Sequence, residues 1–113
     1  MKKTTIAAAL CLLAVASAHA ADHFGADRHV ARGLECRTCH GPDLKNLEYP
    51  TIETCTQCHN TKGLSQKTAD VKPHNPHLSP HYQDQLDCTN CHLQHAETEN
   101  YCNQCHQFDF KVP

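Results

Sequence analysis

Apolar positions are dense at one end of the chain and sparse along the rest. Ile6 to Ala16 form an unbroken apolar run of eleven, preceded by Lys2 and Lys3 and followed by the small-x-small triplet Ala18-His19-Ala20. A basic start, a short apolar stretch and a small-residue end are the layout of a Sec-type signal peptide, with cleavage expected before Ala21. The run is too short to span a bilayer. Cys11, mid-run behind the bulky Leu10, suits no lipid anchor. The expected organisation is a cleaved signal peptide over 1–20 and one exported, periplasmic domain over 21–113.

Beyond residue 21 no helical or strand period persists. ADRHVARGLE (26–35) predicts one or two helical turns, and 62–71 a second helical stretch. GPDLKNLEYP (41–50) and NTKGLSQKTADVKP (60–73) read as linkers holding turn formers and scattered charge. No alternating run predicts a strand. The expected domain has eleven Ile, Leu and Val and no Trp, too few to form an ordinary interior. Disulfides, metals or a large apolar cofactor must supply it. Tyr49, Tyr82, Tyr101, Phe24, Phe108 and Phe110 are expected to pack against that cofactor.

Charge narrows the function classes. Loss of Lys2 and Lys3 leaves eight Lys and Arg against twelve Asp and Glu. There is no basic stripe for nucleic acid and no basic amphipathic helix for a membrane surface.

Cysteine and histidine change the picture most. Without Cys11, eight cysteines remain, and all fall in four C-x-x-C pairs, each followed at once by histidine. They read CRTCH (Cys36, Cys39, His40), CTQCH (Cys55, Cys58, His59), CTNCH (Cys88, Cys91, His92) and CNQCH (Cys102, Cys105, His106). C-x-x-C-H is the attachment signature of c-type haem. Two thiols add across the vinyl groups of one porphyrin edge, and the next residue's imidazole binds the iron as proximal ligand. Four disulfides or two four-cysteine zinc sites would use the cysteines but would not require a histidine after every pair. The cofactor expected is therefore four covalently bound c-type haems. First cysteines lie 19, 33 and 14 residues apart, so the repeat is not periodic.

Four irons have eight axial positions, and the motif histidines fill four. Met1 is the only methionine, so the exported chain must supply histidine for the rest. Six are available: His23, His29, His74, His77, His81 and His95. His95, three residues after His92, cannot reach the far face of its own haem and is placed for a neighbour's. His29 lies in the helical stretch before the first motif. His74, His77 and His81 are separated by Pro76 and Pro80, which hold the segment extended as a ribbon. His29, His77, His81 and His95 are favoured as distal ligands, His74 stands open between ligand and surface residue, and His23 reads as exposed.

With these residues in view, the chain resembles the small tetrahaem cytochromes c of anaerobically respiring bacteria. It is most similar to the tetrahaem domain of periplasmic flavocytochrome c fumarate reductases. RHV before the first motif, HNPHLSPH before the third, CTNCHLQH and the ending YCNQCHQFDFKVP carry the likeness. It implies a multihaem cytochrome c fold, mostly irregular with a few short helices and little or no sheet, whose core is four haems. It implies His29, His77, His81 and His95 as distal ligands of low-potential, bis-histidine irons. In the flavocytochromes the segment resembling FDFKVP leads into a flavin-binding domain; with Pro113 last here, the expectation is the electron wire without the catalytic half.

The function expected is electron transfer in anaerobic respiration. A membrane quinol dehydrogenase would be the donor, and a terminal reductase, such as a separate flavoprotein of fumarate-reductase type, the acceptor. The alternative is a haem enzyme reducing a small substrate such as nitrite at an open iron. A third reading, a histidine-rich metal-storage protein, predicts zinc or copper uptake and no haem absorbance. Neither membrane embedding nor a catalytic residue is expected. Haem propionates would make the protein more anionic and favour partners with a basic patch.

Overall fold

Short helical segments, none longer than seven residues, punctuate the described part of the computed structural model, residues 23–113. The expected signal peptide lies outside the described residues. In chain order come α1 (Gly25–Ala31), α2 (Cys36–His40), α3 (Ile52–Thr56) and α4 (Thr61–Lys67), then two 3-10 turns, Cys88–Asn90 and Tyr101–Gln104.

Local signals explain where these begin and end. At the start of α1 the Asp27 carboxylate accepts the Phe24 backbone N–H at 2.9 Å, one half of a capping box. Its end is a Schellman turn: Leu34 N–H donates to His29 O at 3.1 Å and Gly33 N–H to Val30 O at 2.9 Å. That turn needs the positive φ of Gly33, 89°. Asn60 caps α4 by accepting from Gly63 N–H at 2.8 Å. The helix stops at Lys67, short of the expected 71, because Thr68 leaves helical geometry and turns its hydroxyl back onto Leu64 O at 3.0 Å.

Distant segments meet at small residues. Ala26 N–H donates to Gln94 O at 2.8 Å, tying α1 to the stretch after the third motif. Gly25, the one buried residue among those described, permits this approach; a Cβ there would lie 2.5 Å from Gln94 Oε1.

The proline ribbon departs from the extended form expected of it. Leu78 N–H bonds Asn75 O at 3.2 Å, and Ser79 and Gln83 exchange bonds of 3.1 and 2.8 Å around Pro80 and His81. The prolines exclude a helix, but they sit within turns rather than a straight run. No strand occurs among the described residues beyond that one bridge.

The last segment has no regular secondary structure and no partner strand. Phe108, Phe110 and Val112 are half-buried while Asp109 and Lys111 are exposed. Side chains hold it: Asn100 Nδ2 donates to Phe108 O and Phe110 O, both at 3.3 Å, and Thr98 Oγ1 to Val112 O at 2.9 Å. Among the described residues no apolar side chain is buried. The polypeptide builds turns that present side chains rather than an aliphatic core.

Candidate functional site

Each C-x-x-C-H motif closes into one turn. His59 N–H bonds Cys55 O at 2.9 Å, His92 N–H bonds Cys88 O at 2.8 Å and His106 N–H bonds Cys102 O at 2.9 Å. Within each of these turns the second cysteine's N–H bonds the first cysteine's carbonyl at 3.2 Å. The first motif is α2 itself. A three- or four-residue offset puts side chains on one face of a turn, so both thiols and the imidazole emerge together. All eight cysteines are free.

Every motif histidine stands beside one histidine from outside the motifs. His40 and His95 have ring centres 5.9 Å apart with planes at 22°. His29 and His59 are 6.1 Å apart and nearly perpendicular, at 89°. His77 and His92 are 6.2 Å apart at 4°, and His81 and His106 are 6.1 Å apart at 30°. A metal–imidazole bond is about 2 Å and the ring centre lies roughly 1 Å beyond the nitrogen, so two rings capping one ion have centres roughly 6 Å apart. All four pairs have that spacing. No group of three or more metal-donor side chains converges among the described residues. Two axial imidazoles per ion, with the remaining donors supplied by the ion's own ring, is the arrangement of haem iron.

Hydrogen bonds orient several of these rings. His40 Nδ1 lies 2.8 Å from Glu48 O, and His29 Nδ1 lies 2.8 Å from Gly25 O. A carbonyl only accepts, so Nδ1 carries a proton in both rings and Nε2 is the nitrogen left for a metal. The loop after His40 is closed from both ends, because Glu48 N–H also donates to His40 O at 3.0 Å. Burial holds the His77 and His92 imidazoles below the usual histidine range, and their proximity adds to the effect at His92. Both shifts favour the neutral ring, the form in which an imidazole binds a metal.

Comparison with known proteins gives the family. Residues 28–107 match the cytochrome c3 family. The chain belongs to the cytochrome c3 family. It is 37% identical over 81 residues to an acrylate reductase cytochrome subunit of Shewanella woodyi, covering 69% of this chain and 68% of that protein. It is also 37% identical over 79 residues to a probable fumarate reductase, Ifc3, of Shewanella frigidimarina, covering 67% of this chain but 13% of that protein. A c-type protein of Eggerthella lenta, Cgr1, is 29% identical over 117 residues, 75% of this chain and 52% of that protein. No solved structure matches. Cytochrome c3 domains hold c-type haem covalently, and this chain is a multihaem-type electron-transfer cytochrome rather than a catalytic subunit.

The rest of this cytochrome c3 domain fits the group. A cavity of about 380 Å³ beside the fourth motif is lined by His74, His81, Tyr82, Tyr101, His106 and Phe108, among others. A second, of about 320 Å³, is lined by Val30, Leu34, Glu35, Cys36, Arg37 and Leu44. Phe108 stacks on His106 at 4.7 Å and 11°. The Cys55 thiol is pushed up to about 12 by burial and by the neighbouring Cys88, to which it hydrogen-bonds. The attachment points of the second and third motifs are thus adjacent.

The remaining candidates sit apart from the pairs. His74 lies 6.1 Å from Phe108 and pairs with no motif histidine. His23 is exposed and lies 3.5 Å from Glu97. Tyr49 is 89% exposed, against the packing expected for it. No helix among the described residues is long and apolar enough to cross a membrane. Sequence reasoning missed Thr68, whose Oγ1 lies 3.0 Å from His77 Nδ1, and Asn75, which meets Thr68 Oγ1 at 2.6 Å. Neither residue carries a motif that marks it.

Proposed function

We propose that this chain is a periplasmic tetrahaem cytochrome c that carries electrons from a membrane quinol dehydrogenase to a terminal reductase in anaerobic respiration. The acceptor is a separate flavoprotein of fumarate-reductase type, and the chain is its haem subunit. The observation that carries this reading is the set of four histidine pairs, each with one motif histidine and ring centres 5.9–6.2 Å apart.

Thioethers to Cys36 and Cys39, Cys55 and Cys58, Cys88 and Cys91, and Cys102 and Cys105 hold the four groups. His40, His59, His92 and His106 are the proximal ligands. His95, His29, His77 and His81 are the respective distal ligands. Bound haem supplies the one-electron iron couple. The chain's part is to cap both faces of every iron with neutral imidazole, so that oxidation state changes without a change of ligands. Its second part is to crowd the attachment points: Cys39 and Cys88 both influence the ionisation of Cys55, and Cys102 that of Cys91. This neighbourhood supports a continuous path from the first motif to the fourth.

The relatives support the acceptor, since one is named a cytochrome subunit of acrylate reductase and another a probable fumarate reductase. Because the chain spans 13% of the latter, the flavoprotein is assigned by analogy of chemistry. Carbon monoxide tests the reading. The reduced protein is expected to bind almost none, as four six-coordinate irons require. Stoichiometric binding to one iron would instead support the open-site enzyme. Membranes supplied with a quinol should reduce the protein, and a flavoprotein reductase with fumarate or acrylate should reoxidise it.

A further inference from the structure

A hydrogen-bonded chain running from α4 into the proline ribbon ends on His77. The His77 backbone N–H lies 3.0 Å from Asn75 Oδ1. An N–H only donates, so the Asn75 atom facing it is the oxygen, and its Nδ2 donates to Ser65 O at 2.7 Å. The Thr68 hydroxyl is then placed between two oxygens that only accept, Asn75 Oδ1 at 2.6 Å and Leu64 O at 3.0 Å. Its single proton is committed to them. The contact of 3.0 Å with His77 Nδ1 therefore uses a hydroxyl lone pair, and the proton of that bond belongs to the imidazole. His77 is fixed as the tautomer whose Nε2 is bare, in the ring that lies 6.2 Å from His92.

His29 and His40 rest on backbone carbonyls, which no side-chain substitution removes. His77 rests on side chains, so its support can be altered by mutation. We propose that Thr68 and Asn75 are positioning residues that lock the His77 tautomer and lower the reduction potential of the iron His77 shares with His92. The inference rests on the haem reading above. An axial imidazole that donates its other N–H becomes more basic and favours the ferric state. The chain of bonds through Thr68 to Asn75 strengthens that donation.

The test uses the holoprotein and follows each iron's potential in a stepwise titration monitored by electron paramagnetic resonance. Thr68→Val is expected to raise one potential of the four while that iron stays low-spin. Thr68→Ser is expected to restore the wild-type value, and Asn75→Ala to shift the same iron in the same direction by less. Unmoved potentials in Thr68→Val, or a shift in Thr68→Ser as large as in Thr68→Val, would overturn the inference. Should Thr68→Val fail to incorporate haem, the Ser and Asn75 variants carry the test. His77→Ala separates the two levels. If it leaves every iron six-coordinate with histidine, the ligand assignment falls and the inference with it. If it opens one iron while the Thr68 and Asn75 variants shift nothing, only the inference falls.

Discussion

The rings of His40 and His95 lie 5.9 Å apart, although one ends the first motif and the other follows the third motif's histidine by three residues. That contact ties two attachment turns together across a long stretch of chain. With His95 as the distal ligand of the first haem, His95→Ala should open one iron and leave three low-spin. Carbon monoxide binding to the reduced variant should rise from near zero to about one per molecule. Binding that stays near zero would place the ligand elsewhere.

His29 and His59 are nearly perpendicular, at 89°, whereas His77 and His92 are nearly parallel, at 4°. Perpendicular axial imidazoles leave the iron dxz and dyz orbitals of low-spin ferric haem nearly degenerate, which makes the resonance strongly anisotropic. Frozen oxidised protein should therefore show one strongly anisotropic low-spin signal, lost in His29→Ala, beside rhombic signals from the others. Four alike rhombic signals would contradict the pairing geometry.

Gly41 has φ 76° and ψ 175°, a region essentially confined to glycine. A Cβ there would also meet the Glu48 side chain at 2.8 Å. Gly41→Ala should cost about 1–3 kcal/mol from the backbone alone. It should also loosen the Glu48 carbonyl that orients His40. Chemical denaturation of the holoprotein measures the first effect, and the spectrum of the His40 iron the second.

Asp43 braces the same loop. Asn46 Nδ2 donates to its carboxylate at 2.7 Å and Lys45 N–H at 3.0 Å, and these bonds hold its pKa below the usual aspartate range. Because the folded value is the lower one, the bracing is complete above the ordinary carboxylate range and is lost as pH falls through the folded value. Hydrogen exchange of residues 41–49, corrected for intrinsic rates, should quicken on acidification in the wild type. Asp43→Ala should exchange fast at every pH. Equal behaviour of the two proteins would remove Asp43 from the account.

Particular residues show how far the sequence carries. The C-x-x-C-H spacing foretold each attachment turn, since a cysteine and a histidine four apart can share a face only on a helical turn. ADRHVARGLE showed that a helical turn or two would form there, but the stop of α1 at the positive φ of Gly33 emerged only in the structure. Counting brought out six histidines outside the motifs but not which stands beside which, because contacts such as His95 with His40 join residues far apart in the chain. Thr68 closed α4 early and Pro80 entered a turn, both through contacts made several residues away. The alternation of Phe108, Phe110 and Val112 was present in the sequence, yet so short a run did not mark these side chains as the half-buried ones. Thr68 and Asn75 gave no signal, since their role depends on a tautomer.

Intact mass of the exported protein, set beside its absorbance after reduction, tests the central claim most directly. The prediction is a polypeptide cleaved before Ala21 and heavier by four haems, with sharp low-spin bands and an iron content of four per chain. A colourless product with the mass of bare polypeptide, or one carrying fewer haems than motifs, would contradict it.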